Sequence, residues 1–445
     1  MRAFSPLVAV ALLAVTATPL AAQTGTVSQP QAPVPGIAEL GVTMKRAQAL
    51  DAAGQYRRAE RLWREALDRR IALLGANDPL IAQAYARLAS NLEDQGRWPE
   101  AETLRSKAVA LFERQPRAEV DTGAMGMAIS GLARNQQQQG RIEEATTTAY
   151  RAFSILKEKG DDSLDAAWGY TGVGSVLMAQ EAYQRARIFY RPALEIRRRL
   201  LGERDPDTAT SYNNLGTVLA RLGRIDEALP LLRQALSARE AVDSVGSMTA
   251  QSALNLGIAL DMNGRSALAT PYLERARAIL RARDGEGSVP VAAADNALGL
   301  NAYHLGQLTD AERRLRSALR VRVQKLGRRH ADTGESYANL AVVLDTRDRH
   351  EAAWPLHNTG LAIRMAASGP AALGVADSLA NRGACYRALS RTGHATARRE
   401  KAVADYEAAY RIYRSKLGPD HPKTIAADTA RQAETAIGIR VPSPR

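Results

Sequence analysis

The chain has 445 residues, a formal net charge of +13 and one cysteine, Cys385. A single cysteine excludes an internal disulfide framework, and an aromatic content of only 5% argues against stacking on single-stranded nucleic acid. Because arginines are scattered along the chain and form no block, the charge indicates a solvated basic surface and no nucleic-acid partner.

The first 36 residues carry targeting and linker signals. A basic start, an apolar run from Leu7 to Val15 and a small-residue site at Ala22 predict a secretory signal peptide over residues 1–22. Residues 23–36 are polar and proline-rich, which predicts a disordered leader. The apolar run is shorter than the roughly 20 residues that a bilayer requires. We therefore expect no membrane insertion and a protein exported to the periplasm or secreted, after cleavage near Ala22.

From residue 37 to residue 437 the chain repeats itself about every 42 positions, which is typical of repeat arrays. Small residues recur in two ladders seven positions apart, and seven residues make two helical turns, so paired rungs lie on one face of a helix. A small side chain there lets a neighbouring backbone approach closely. The first ladder is Ala59, Ala101, Ala145, Ala186, Ala228, Ala269, Ala311, Ala353 and Ala402. The second is Ala66, Ala108, Ala152, Ala193, Ala235, Ala276, Ala318, Gly360 and Ala409.

A turn five residues before each first-ladder alanine separates a helix of about 14 residues from one of about 18. Glycine, which favours the left-handed conformation that ends helices, occupies most of these turns. Glu181, Asp348 and Ala397 take its place in three repeats, although the first helix of the last repeat would put its turn at Ser390. A further helix after Pro422 is expected to cap the stack, and residues 438–445 form a tail. The glycines are Gly54, Gly96, Gly140, Gly223, Gly264 and Gly306.

With its helical periodicity and short links, the chain is expected to be an all-α stack of about nine antiparallel helix pairs. The layout resembles tetratricopeptide repeats in the 42-residue form of kinesin light chains and many bacterial proteins. The stretches that carry the resemblance best are 193–235, 326–344 and 417–424, the last reading LGPDHPKT. The resemblance covers residues 37–437. It implies a right-handed α-solenoid whose first helices line a concave groove for an extended or helical peptide.

In this family an asparagine nine residues before the turn often faces the groove and bonds the ligand backbone. The matching residues are Asn214, Asn255, Asn339 and Asn381, and Asn213 and Asn296 stand one position earlier. Other repeats carry Lys45, Arg87, Gly131, Gly172 or Ala297 at this position, so the resemblance transfers to four repeats only. An amide both donates and accepts hydrogen bonds, and therefore suits a peptide unit. The alternative is that each amide bonds a neighbouring helix.

Other polar residues favour structural interpretations. Arginines recur sixteen residues after the turn, late in the second helix, where they would complement the helix dipole. They are Arg70, Arg197, Arg239, Arg322 and Arg364. His330 and His421 occupy helix-start positions that Asp fills elsewhere. Cys385 is expected to be a buried apolar residue, with a pair to the nearby His394 left open. The histidines show no metal-ligand spacing, and we expect no catalytic residue, metal or cofactor.

These observations favour a non-enzymatic scaffold that binds a protein or peptide ligand in its groove. Two alternatives stay open. Related arrays often precede a peptidase-like domain, so the chain could be an accessory to a separate hydrolase. Its basic surface could instead dock on anionic envelope polymers, in which case binding would weaken as salt rises.

Overall fold

The computed structural model describes residues 37–116, 119–391 and 395–436. The predicted signal peptide (1–22), leader (23–36) and tail (438–445) lie outside these ranges, as does His394, so its pairing with Cys385 stays a hypothesis.

Nineteen α-helices account for the described regular structure apart from one 3₁₀ turn, Lys157–Lys159, which confirms the all-α solenoid of helix pairs. The helices fall into an N-terminal unit that ends at Ser211 and a C-terminal unit that begins at Tyr212. The N-terminal unit contains α1 (Ile37–Ala52), α2 (Tyr56–Leu74), α3 (Leu80–Asp94), α4 (Trp98–Glu113), α5 (Thr122–Gln138), α6 (Ile142–Leu156), α7 (Leu164–Ala179) and α8 (Tyr183–Leu201). Helix α9 (Pro206–Arg221) includes the boundary. The C-terminal unit continues with α10 (Ile225–Val242), α11 (Ser247–Met262), α12 (Ser266–Asp284), α13 (Val289–His304), α14 (Leu308–Leu326), α15 (Ala331–Thr346), α16 (His350–Ser368), α17 (Leu373–Leu389), α18 (Ala395–Leu417) and α19 (Pro422–Thr435).

The turn inside each pair lies where the glycine pattern places it, with one exception. Backbone φ is positive at the turn glycines and also at Glu181 (57°) and Asp348 (56°). Because this conformation is strained for a residue with a β-carbon, the repeat itself must impose the turn at these two positions. The turn at Ala397 is wrong, since Ala397 lies inside α18. The turn at Ser390, expected from the first helix of this repeat, is confirmed, because α17 ends at Leu389 with Ser390 as its C-cap.

The alanine ladders lie at close contacts between helices of the core. Every alanine of the first ladder has 0% of its surface exposed. At the one rung that is glycine, Gly360, an added β-carbon would lie 2.9 Å from the Gly334 carbonyl oxygen and 3.1 Å from the Ala338 amide nitrogen. Helices α15 and α16 are therefore too close at this point even for alanine, which explains the exception in the ladder.

From α1 to α8 and again from α10 to α19, the two helices of a pair pack together and the second packs against the first helix of the next pair. Helix α19 follows the ninth pair and packs on α18. Among the described helices we find none with the length and apolar character needed to cross a membrane.

Candidate functional site

The six asparagines of the predicted groove lie on the first helices of successive repeats, all in the C-terminal unit. Each is buried, with at most 4% of its surface exposed. Their contact with a ligand stays a prediction, because burial alone fits both a groove lining and a bond between helices. We call this set the asparagine row: Asn213 and Asn214 on α9, Asn255 on α11, Asn296 on α13, Asn339 on α15 and Asn381 on α17.

Two bonds in the asparagine row join the first helices of neighbouring repeats. Asn255 Nδ2 donates to Asn213 Oδ1 at 3.1 Å, and Asn339 Nδ2 donates to Asn296 Oδ1 at 3.2 Å. A buried amide costs free energy unless it is hydrogen-bonded. These bonds therefore hold α9 to α11 and α13 to α15, so the alternative left open by the sequence is realised for these two pairs.

Asn214 differs from the rest of the row. Neither its Nδ2 nor its Oδ1 has a hydrogen-bond partner, and Asn213 Nδ2 has none either, although all three atoms are buried. An unsatisfied buried polar group costs about 1–3 kcal/mol. Two adjacent residues of α9 thus carry two NH₂ groups and one carbonyl oxygen that make no hydrogen bond.

A second set of buried polar contacts, which the sequence analysis missed, centres on the acidic residue three positions before the turn. In four repeats this carboxylate contacts a residue of the next repeat, an asparagine or a cysteine that stands five positions before the next turn. In three of these repeats it also contacts the residue nine positions after its own turn. We call each set an acid node. The nodes are Asp51–Trp63–Asn91, Glu93–Arg105–Asn135, Asp261–Asn301 and Asp345–His357–Cys385.

The N-terminal unit contains two of the nodes. At the first, Asp51 accepts from Trp63 Nε1 at 2.7 Å and from Asn91 Nδ2 at 2.6 Å, while its burial raises the pKa of the carboxyl. At the second, Glu93 Oε1 accepts from Arg105 Nε at 2.8 Å and Glu93 Oε2 from Arg134 Nη2 at 2.6 Å. Burial would raise the pKa of Glu93, but the Arg105 and Arg134 guanidinium groups outweigh it and lower the pKa to about 2.

In the C-terminal unit the acidic residues of the nodes contact histidines, whereas Glu93 contacts arginines. Asp261 lies 2.8 Å from His304 Nδ1 and accepts from Asn301 Nδ2 at 3.0 Å. Burial would raise the pKa of Asp261, but the His304 hydrogen bond helps to lower it.

At the Asp345 node, the carboxylate lies between two histidines. Oδ1 is 3.0 Å from His350 Nδ1, and Oδ2 is 2.7 Å from His357 Nε2. Cys385 is buried, as predicted, and its burial raises the pKa of the thiol, as does the nearby Asp345 carboxylate.

The recurring arginines join consecutive repeats instead of remaining at the ends of their own helices. In each of the five, Nη1 donates across the link to the following helix, to a backbone carbonyl in its first turn, to a serine hydroxyl, or to both. Hydrogen bonds from a charged group contribute about 1.5–3 kcal/mol. The sequence signal that we missed is a serine 13 or 14 residues after four of the arginines. The acceptors are Leu80 O for Arg70, Ser211 Oγ for Arg197, Met248 O and Ser252 Oγ for Arg239, Asp332 O and Ser336 Oγ for Arg322, and Gly374 O and Ser378 Oγ for Arg364.

The two linker histidines start helices, as predicted. His330 Nδ1 accepts from the backbone N–H of Asp332, and His421 Nδ1 accepts from that of Lys423, both at 3.2 Å. Asp205 Oδ1 accepts from the Asp207 N–H at the start of α9 in the same way. These histidines therefore act as helix caps.

Family models for the tetratricopeptide repeat match most of the solenoid. One matches residues 39–114, 165–241 and 290–366, and two others match residues 213–286 and 382–423. No curated protein sequence matches the chain.

Solved structures of repeat proteins resemble the chain at low sequence identity. The apo form of the quorum sensor NprR from B. thuringiensis is 13% identical, with a TM-score of 0.55 over 84% of this chain and 99% of that one. A Rap protein complexed with Competence and Sporulation Factor is 13% identical, with a TM-score of 0.54 over 81% and 98%. BtubC (BKLC) from P. vanneervenii is 23% identical, with a TM-score of 0.41 over 55% and 92%. At these identities the likeness concerns the fold alone.

Proposed function

This chain belongs to the tetratricopeptide repeat family, and from that premise we propose that its C-terminal unit binds a peptide or a segment of another protein along its first helices. The chain would act as a scaffold without catalysis of its own. Affinity would come from several repeats that each add a small contact.

One observation carries the proposal: the unused hydrogen-bonding capacity of Asn213 and Asn214. A peptide unit has one N–H and one C=O, and the Asn214 amide can pair with both. Both polar atoms of Asn214 are closed to solvent, so we expect a small movement of the first helices or of this side chain when the ligand binds. The bond gained on binding would remove the cost of a buried unsatisfied amide.

The relatives support the ligand class only by analogy. The Rap protein of similar fold was solved in complex with Competence and Sporulation Factor, and NprR is described as a quorum sensor. Because a shared fold does not determine function, the peptide ligand remains our proposal for this chain.

The proposal is tested with a random peptide library displayed on phage and selected on the purified chain. We expect enriched peptides whose affinity falls at least tenfold in Asn214→Ala, with an unchanged unfolding midpoint. The matched control is Asn255→Ala, which removes an amide that already bonds Asn213. We expect this variant to lower the free energy of unfolding by more than it lowers the free energy of peptide binding. Enriched peptides that bind Asn214→Ala as tightly as the original chain would contradict the assignment.

Export is part of the same proposal. The basic start, apolar run and Ala22 site of residues 1–22 support it. Mass spectrometry of the protein from an expressing bacterium should give a mature N-terminus near residue 23 in the envelope fraction. An intact N-terminus in the cell interior would contradict export without affecting the peptide-binding proposal.

A further inference from the structure

The Asp345 node brings together three side chains that each offer a metal-ligand atom. Asp345 is at the end of α15, His357 is in α16 and Cys385 is in α17, so three consecutive helices contribute. Their ligand atoms all lie within 4.8 Å of one another. His357 and Cys385 are fully buried, whereas the Asp345 side chain keeps 16% of its surface exposed. The cluster is therefore rigidly held and open to solvent on the Asp345 side.

The equivalent positions of other nodes show what is particular to this one. Nine residues after the turn, Trp63 and Arg105 offer only N–H donors, whereas His357 offers a nitrogen lone pair. Five residues before the next turn, Asn91 offers an amide, whereas Cys385 offers a thiol. Both changes occur in the same node, and both replace a hydrogen-bond donor by a metal ligand.

We propose that Asp345, His357 and Cys385 bind a divalent transition-metal ion of the zinc type. His350, which contacts Asp345 but lies outside this three-residue cluster, would move to become the fourth ligand. His350 Nδ1 lies 3.0 Å from Asp345 Oδ1, and the His350 side chain is 23% exposed. Two imidazoles, a thiolate and a carboxylate form a tetrahedral set suited to Zn²⁺ or Co²⁺, and a poor set for Mg²⁺ or Ca²⁺, which prefer oxygen.

Binding requires only small movements and a balanced transfer of protons. Ligands at about 2.0–2.1 Å from zinc are about 3.3 Å apart in a tetrahedron, compared with 2.7 Å for His357 Nε2 and Asp345 Oδ2. The metal would replace this hydrogen bond, and the His357 ring proton would move to Nδ1, a buried atom without a hydrogen-bond partner, at a cost in affinity. His350 would likewise give up its bond to Asp345 Oδ1, with its ring proton on Nε2. The Cys385 thiol would release one proton to solvent as the sulfur–metal bond forms.

The ion would stabilise the C-terminal unit by linking α15, α16 and α17. A metal that binds only the folded chain raises the unfolding midpoint as its concentration increases. This role does not depend on a peptide ligand, so the metal site and the proposed function can fail independently.

The test is titration of the purified, tag-free full chain with Co²⁺, followed by its absorption spectrum. Because Cys385 is the only cysteine, a sulfur-to-cobalt charge-transfer band can come from this site alone. We expect such a band together with tetrahedral cobalt absorption, both lost on addition of excess Zn²⁺. Zn²⁺ should also raise the thermal midpoint of the original chain.

Three variants make the test specific. Cys385→Ser should remove the charge-transfer band and weaken Zn²⁺ binding at least about tenfold. His350→Ala changes a partly exposed side chain and should weaken binding without disturbing the core. It keeps the test valid if Cys385→Ser folds poorly by circular dichroism. Asn91→Ser is the matched control at the equivalent position of the first node, and it should bind Zn²⁺ as the original chain does.

Two results would overturn the proposal. The first is a cobalt spectrum without the sulfur-to-cobalt charge-transfer band, which would show that the metal does not bind Cys385. The second is a Zn²⁺ affinity that is unchanged in both Cys385→Ser and His350→Ala.

Discussion

One acid node in each unit shows how different chemistry can occupy the same positions of the repeat. In the N-terminal unit, the node of Glu93 is a buried ion pair with Arg105 and Arg134. In the C-terminal unit, the node of Asp345 has histidines and a cysteine instead. The asparagine row also belongs only to the C-terminal unit. The repeat backbone therefore sets the geometry of each position, while the residue placed there decides which partners it bonds.

The largest effect is expected from breaking the ion pair of the N-terminal unit. Glu93→Gln leaves the buried Arg105 and the partly exposed Arg134 without their carboxylate, and breaking a buried ion pair typically costs about 3–5 kcal/mol. Asp345→Asn, measured with a chelator, should cost less because its partners carry no permanent charge. Urea unfolding of both variants measures the difference, and equal costs would show that the two nodes do not differ as proposed.

Acid should weaken the same ion pair. The folded pKa of Glu93 is about 2, below its ordinary value of 4.5. A lowered carboxyl pKa contributes stability that is fully present above the ordinary value and is lost as pH falls through the folded value, here of order 3 kcal/mol. The stability difference between the original chain and Glu93→Gln should therefore shrink between about pH 4.5 and pH 2. A constant difference over this range would contradict the ion pair.

Overpacking a ladder position should have an intermediate effect. Ala228 is fully buried in the first ladder, so Ala228→Leu forces α10 away from its neighbours at a cost of about 1–3 kcal/mol. Leu268 is 58% exposed, and Leu268→Ala serves as the surface control, with a change below about 0.5 kcal/mol. The thermal unfolding midpoints of the two variants measure the difference. Equal midpoints would show that the ladder position tolerates a larger side chain.

Two asparagines of one row should differ in stability, and one of them should show the smallest effect. Asn255→Ala leaves Asn213 Oδ1 without its donor and should cost about 1–3 kcal/mol. Asn214→Ala removes an amide that bonds nothing in the free chain, so it should be neutral or slightly stabilising. Urea midpoints of the two variants provide the comparison, and a larger loss for Asn214→Ala would reverse it.

The sequence predicts helices and turns well because both depend on local chemistry. Small residues at a fixed spacing place the ladders, and the repeat length places turns even at Glu181 and Asp348. The last repeat shows the limit of the repeat spacing. Extra residues follow its turn, so the spacing from the alanine ladder places the turn at Ala397, whereas the helix ends at Leu389, before Ser390.

Contacts between repeats were harder to predict because their partners lie far apart in the chain. Asp51 and Asn91 bond across forty residues, and nothing near Asp51 indicates this partner. Arg322 was interpreted as a helix-end charge, whereas its guanidinium reaches Ser336 in the next helix. A single motif does not reveal these contacts. Both become visible only when polar residues are compared at equivalent positions of successive repeats.

The most direct test of ligand binding observes the Asn214 side chain itself. The chain has twelve asparagines, so selective ¹⁵N-asparagine labelling gives few side-chain NH₂ signals, and Asn214→Ala identifies the one of interest. With a peptide selected on the chain at saturation, we predict that the Asn214 signal shifts while that of Asn91, fixed in an acid node of the other unit, stays in place. An Asn214 signal that does not move while peptide is fully bound would contradict our account of the groove.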